Sequence, residues 1–129
     1  MKAKTLTYYK KKAWASFSKY IRQKYAGEEG LAICYTCGKV AHWKQLQAGH
    51  GISGRNNAVL FMEEVVRPQC AGCNLFGGGK YSIFTEKLID ELGLERYGEL
   101  VKMANQTVQF KIFNYQEIAE KYENKIKEL

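Results

Sequence analysis

All four cysteines of the chain fall in two Cys-x-x-Cys pairs, Cys34-Tyr35-Thr36-Cys37 and Cys70-Ala71-Gly72-Cys73. Two cysteines separated by two residues fit on one tight turn and offer two adjacent corners of a tetrahedron. A second pair, returned by the fold, offers the other two. Four thiolates in that arrangement are a ligand set for Zn²⁺. The alternatives are two disulfides or a redox Cys-x-x-Cys. A disulfide framework suits a secreted mini-protein, but Met-Lys-Ala-Lys-Thr leads into no apolar h-region. A redox motif expects a surrounding βαβ pattern that the sequence lacks. The reading is therefore one structural zinc site in an intracellular, cytoplasmic protein. Cys37 and Cys70 enclose 32 residues, enough to hold structure of their own.

Two other residues in this stretch carry chemistry. His50 stands between Gly49 and Gly51, where the backbone can bend and another group can approach closely. A neutral imidazole titrates near physiological pH and can take a proton there. Asn74 directly follows the last cysteine, and its carboxamide oxygen is a hard ligand suited to magnesium. His42 reads as an exposed or packing histidine, since four cysteines already complete a zinc shell.

These residues need elements to position them. At 129 residues the chain is one domain, with a net charge of +7. No stretch is long or apolar enough to span a membrane. Residues 1–27 hold eight Lys or Arg and no acid, while the remainder is nearly neutral. Such a concentration favours a polyanion, with nucleic acid the default partner. The competing reading is a solvated helix face that aids solubility. From Thr7 to Ala26 the pattern is helical, with Trp14, Phe17, Ile21 and Tyr25 on one stripe. Lys10, Lys11, Lys12, Lys19 and Arg22 fall mostly off it and are candidate DNA contacts, as are Arg55 in a polar turn and Lys80 after Gly77-Gly78-Gly79. The glycine run lacks Walker spacing and reads as a flexible break.

Val40–Gln47 reads as extended, and Ala58–Met62 as the second strand of a hairpin. Residues 81–92 and 94–104 read as helices. Thr107–Phe113 reads as a short strand or a loop. Asn114 is expected to cap a last helix, with Ile118, Tyr122, Ile126 and Leu129 on its buried face. That apolar stripe packs on its own domain or serves as a homodimer interface.

At Gln47-Ala48-Gly49-His50 and Arg67-Pro68-Gln69-Cys70-Ala71-Gly72-Cys73-Asn74 the chain resembles the phage NinG/Rap recombination endonucleases of the HNH, or ββα-metal, superfamily. The cysteine pairs with a trailing asparagine are also similar to phage endonuclease VII, a Holliday-junction resolvase. The resemblance implies an α+β fold: a zinc-stabilised, treble-clef-like ββα-metal motif with flanking N- and C-terminal helices. It divides the chain into a basic helical arm (1–30), a zinc-clamped nuclease core (31–92) and a C-terminal helical region (93–129). It implies that His50 is the general base, and that Asn74 binds a catalytic Mg²⁺ or Mn²⁺, with His50 a second candidate ligand. It implies a phage-encoded DNA endonuclease acting on branched DNA in a bacterial host. The chain departs from the common HNH pattern. Gly49 stands where many of these enzymes carry Asp or His, Val65 stands near the usual middle Asn, and Gly78 lies four residues past Asn74. The second metal ligand is thus unassigned, with His50, Glu63 and Glu64 as alternatives. A non-catalytic zinc module that binds nucleic acid is the other reading.

Overall fold

The computed structural model describes residues 4–53 and 57–129. It is an α+β protein with two small antiparallel sheets set among helices. Helix α1 spans Leu6–Lys24, capped by the Thr5 hydroxyl, which accepts from the Tyr8 N–H at 3.3 Å. Strands β1 (Leu31–Ile33) and β2 (Val40–His42) pair with Ile33 opposite Val40. Their connection carries the first cysteine pair. Strand β3 (Gln47–His50) pairs with β4 (Val66–Gln69), with Gln47 opposite Gln69 and His50 opposite Val66. Short helix α2 (Asn57–Leu60) lies between them. Helices α3 (Tyr81–Leu92), α4 (Leu94–Ala104) and α5 (Ile112–Lys127) complete the chain.

The longest interface joins α1 to α5. Phe17 and Tyr122 meet edge to face, with ring centroids 4.9 Å apart. Phe17 and Ile21 are fully buried with Val65, Val66, Phe84, Leu88 and Leu100 in the main core. A second, smaller core gathers Ala32, Cys34, Leu46, Cys70 and Cys73. The first therefore rests on apolar packing, and the second is built around the thiols.

Several expectations change. Ala58–Met62 is not a strand: residues 57–60 form α2, and the partner of β3 is Val66–Gln69. The apolar run buries Val59 and Leu60 from a helical turn instead. Val40–Gln47 is extended only in part, because Trp43–Gln45 is a 3₁₀ turn. Thr107–Phe113 forms no strand: residues 107–111 are irregular and α5 begins at Ile112. Asn114 lies inside α5, where its side-chain oxygen accepts the Lys111 N–H at 2.8 Å from the third helical position. On α5 the buried residues are Tyr115, Ala119 and Tyr122, Ile118 and Ile126 pack partly buried against the core as expected, and Leu129 is exposed beyond the helix end.

The glycine run is not a loose break. The Gly79 N–H donates to the Cys73 carbonyl at 2.9 Å, and its own carbonyl accepts from Gln69 Nε2 at 3.0 Å. Gly78 and Gly79 take φ of 67° and 93°, the region where glycine is favoured.

Candidate metal centre and adjoining cleft

The β1–β2 connection turns tightly because the Gly38 N–H reaches back to the Cys34 carbonyl at 3.0 Å, with Gly38 at φ 82°. This brings Cys34 and Cys37 onto one turn. The second pair follows β4, where the Cys73 and Asn74 N–H groups both donate to the Cys70 carbonyl. All four sulfurs lie within 4.8 Å of one another. Cys37 Sγ and Cys70 Sγ are 3.7 Å apart. A zinc–sulfur bond of about 2.3 Å puts tetrahedral corners about 3.8 Å apart, so the spacing fits.

The protonation chemistry agrees. Burial opposes ionisation of Cys34, but N–H groups of Cys70, Cys37 and Thr36 and the Thr36 hydroxyl draw its thiol down to about 6. The Thr36 hydroxyl favours a thiolate at Cys73, yet burial and the neighbouring Cys70, Cys37 and Cys34 thiols push it up to about 12. Four packed thiols cannot all ionise without a cation among them. The cluster can hold a metal such as zinc, which would allow it.

His50 ends β3 and is 5 % exposed. Its ring stacks on Trp14 of α1, with centroids 5.3 Å apart and planes 18° apart. Its Nε2 lies 3.1 Å from the Leu60 carbonyl oxygen. A carbonyl only accepts, so the neutral ring carries its proton on Nε2 and its lone pair on Nδ1. The neighbouring glycines have separate steric reasons. A Cβ at Gly49 would overlap the Gln69 amide, and one at Gly51 would overlap Phe84 and Leu88.

The Gln69 amide thus occupies the space above Gly49. It is fully buried and donates to Thr36 Oγ1 at 3.1 Å and to the Gly79 carbonyl. Gly49→Ala must displace it and break both bonds. We expect a loss of about 2 kcal/mol of stability, read as a lowered thermal midpoint. An unchanged midpoint would show that the amide is not held as described.

Asn74 Nδ2 donates to Gln47 Oε1 at 2.8 Å, which ties the turn after Cys73 to the start of β3. Beside it is a cleft of about 290 Å³ lined by Trp14, Ser18, Arg22, Leu46, Gln47, Ala48, Asn74 and Leu75. Ala48 and His50 share one face of β3, about 7 Å apart along it. Trp14 covers both, as a wall of the cleft and as the stacking partner of His50. His50 does not line the cleft, so the structure holds His50 and Asn74 by different neighbours and does not bring them into one pocket.

The carboxylates near in sequence are committed elsewhere. Glu63 accepts from Tyr122 Oη at 2.9 Å and Lys125 Nζ at 3.0 Å, joining this turn to α5. Glu64 pairs with Arg96 of α4. The Asn74 cleft offers amide oxygens, which suit Mg²⁺ or Mn²⁺ in kind. Among the described residues the cysteines are the one His, Cys, Asp or Glu group placed to hold a metal. No carboxylate joins Asn74 in the cleft, so among the described residues protein side chains alone do not complete a hard-cation site there.

The basic residues divide by helix face. Arg22 enters the cleft; its Nε donates to the Ser18 carbonyl and hydroxyl at 3.2 Å, and burial lowers its pKa. Lys11 is exposed and lies on the same face, three residues before Trp14 and eleven before Arg22. Lys12 and Lys19 lie in grooves against α5 that also hold Glu123, and Lys12 has Glu120 nearby as well. Lys10 is half-buried. Lys80 is exposed, in a left-handed conformation at the start of α3. Arg55 lies outside the described residues.

Trp14, Gln47, Gln69 and Arg67 bear on the site in ways their types did not signal. Arg67 is 2 % exposed, lies between the Tyr25 and Tyr35 rings, and pairs with Glu91 at 3.0 Å. A buried arginine with an aromatic on each side holds β4 against α3.

Taken together, these features define an α+β protein whose cysteine cluster joins two small sheets beside a polar cleft. No described helix is long and apolar enough to cross a membrane. The family model described as Bacteriophage Lambda NinG protein matches residues 1–129. The chain belongs to this NinG family of phage proteins. No curated protein and no solved structure matches it significantly.

Proposed function

We propose that this NinG-family chain is a metal-dependent DNA endonuclease of the HNH, ββα-metal type that cleaves branched recombination intermediates such as Holliday junctions in the host cytoplasm. The observation that carries it is Trp14, which links His50 to the Asn74 cleft. Trp14 packs on the His50 ring and walls the pocket that contains Asn74 and Arg22. A base, a hard oxygen ligand and a cation are the three parts that phosphodiester hydrolysis asks of a protein.

In this reading the Leu60 carbonyl fixes the His50 tautomer, and Nδ1 takes the proton from the attacking water. Asn74 Oδ1 would hold Mg²⁺ or Mn²⁺, which when bound supplies charge neutralisation at the phosphate. Arg22 holds a phosphate oxygen at the cleft rim. The β3–β4 pair and the turn after Cys73 supply the ββα frame, with zinc as its clamp. Zinc-loaded protein should nick a synthetic four-way junction when Mg²⁺ or Mn²⁺ is added and not when both are left out. Tight junction binding with no product in either metal would favour the non-catalytic module, the reading that the absent carboxylate at Gly49 supports.

The division of the basic residues makes a separate prediction. Neutralising Lys11 and Arg22 should weaken junction binding and lower the slope of log affinity against log salt by about 2, roughly 0.9 per phosphate contact. Neutralising Lys12 and Lys19, whose grooves already hold acidic side chains, should change that slope by less. Equal slopes for the two pairs, measured by fluorescence anisotropy, would place the DNA on another face.

A further inference from the structure

Among the described residues the most exposed large hydrophobic side chain is Phe76, at 87 %. Leu75 beside it is 62 % exposed. Singly scattered exposed apolar side chains need no explanation, whereas adjacent ones beside a cleft form a candidate contact surface. Both lie on the wide helical turn Gly72–Phe76, directly after Asn74.

This turn is built to present them. The Gly77 N–H closes it onto the Gly72 carbonyl at 2.7 Å, and the Gly79 N–H donates to the Cys73 carbonyl at 2.9 Å. Its other end hangs from the cysteine cluster through Cys70. Three glycines follow Phe76, and Gly78 faces open space, so no side chain shields the ring on that side.

The surroundings state what kind of partner fits. Leu75 is a wall of the cleft that contains Arg22 and Asn74. The Lys80 side chain lies over Gly77, the residue after Phe76 in the chain. No Asp or Glu occurs between Glu64 and Glu86. An apolar tip flanked by cations and free of acids matches a polyanion that exposes flat apolar faces. Nucleic acid has both properties where its base stack is interrupted. Continuous duplex hides its base faces, whereas a branch point opens them.

We propose that Phe76, flanked by Leu75, is a wedge that stacks on an opened base at the branch point of DNA and so selects branched over linear substrates. This deepens the endonuclease reading and rests on it for the identity of the partner. The wedge sits two residues past Asn74, so a base held there fixes which backbone phosphate faces the cleft.

The test uses the zinc-loaded full chain with a four-way junction carrying 2-aminopurine at the branch, with no Mg²⁺ or Mn²⁺ added so that nothing is cut. Wild type should raise the fluorescence as the base leaves its stack. Phe76→Ala should abolish the rise and lower junction affinity about tenfold, the scale of one lost base–aromatic stack. Its affinity for linear duplex should stay within about twofold. Phe76→Trp should restore both signals, which separates a stacking role from a folding defect. Wild-type affinity and fluorescence from Phe76→Ala would overturn the wedge. So would a loss of dimer in sedimentation with the fluorescence rise intact, which would assign Phe76 to a second copy of the chain. A protein that raises the fluorescence but never cuts in Mn²⁺ would leave the wedge standing and end the endonuclease reading.

Discussion

His50→Ala is expected to lower the rate of junction cleavage by about 10²- to 10⁴-fold, the usual contribution of a positioned general base. Junction affinity should change little, because the ring is 5 % exposed and offers almost no surface to DNA. The prediction rests on how the ring is held. Trp14 fixes its plane and the Leu60 carbonyl fixes its tautomer. Removing the ring also leaves a gap beneath Trp14, so a stability loss of about 1–3 kcal/mol should accompany the rate loss. His50→Gln separates the two effects. It fills most of the volume and can donate to Leu60 but cannot take a proton near neutral pH. Cleavage should fall as far as in His50→Ala, while the thermal midpoint recovers. Recovery of cleavage by glutamine would remove His50 as the base and make it a packing residue.

Stripping the metal from the cysteine cluster should unfold the sheet half of the molecule. The small core there consists of Ala32, Leu46 and three of the four cysteines, against two sheets of two strands each. Two-stranded sheets are marginal alone, and metal affinity at such sites is folding free energy, about 10–16 kcal/mol in zinc-dependent peptides. A strong chelator, or Cys73→Ser, should melt β1, β2 and the turn that carries Asn74. Amide exchange should then show protection lost at Cys34 and Cys70 and retained across the α1–α5 interface. The purified chain should hold one equivalent of zinc, and acid should release it, because each departing thiolate takes a proton. Unchanged protection after complete chelation would mean that packing, not metal, holds the cluster together.

What could be read from the sequence follows the range of the interactions involved. Ligand chemistry is local, so two Cys-x-x-Cys pairs announce a metal site before any fold is known. Helices with a clean apolar period are equally legible: Tyr81–Leu92 falls where the four-residue spacing of Phe84, Leu88 and Leu92 puts it, and Leu94–Ala104 matches the helix expected over 94–104. Ala58–Met62 reads as a strand yet starts within a helical turn, because a short apolar run fits a buried strand and a buried helical turn alike. The true partner strand was hidden for the opposite reason. Arg67-Pro68-Gln69 looks like a surface segment. It is buried because Tyr25, Tyr35 and Glu91 receive the guanidinium, and Thr36 and Gly79 receive the amide. None of those partners is a sequence neighbour. The same holds for Gly49, which reads as a missing ligand until the Gln69 amide is seen above it. Trp14 reads as one more core aromatic, and its place between His50 and the cleft needs the packing of α1 on β3.

The proposed mechanism requires a second, hard metal at the turn after the cysteine cluster, beside the His50 face of β3. Anomalous diffraction from zinc-loaded crystals grown with a short DNA branch and Mn²⁺ tests it most directly. The account predicts a manganese peak at Asn74 Oδ1, in contact with a DNA phosphate, separate from zinc among Cys34, Cys37, Cys70 and Cys73. Zinc at the cysteines with DNA bound and no manganese at Asn74 would contradict it.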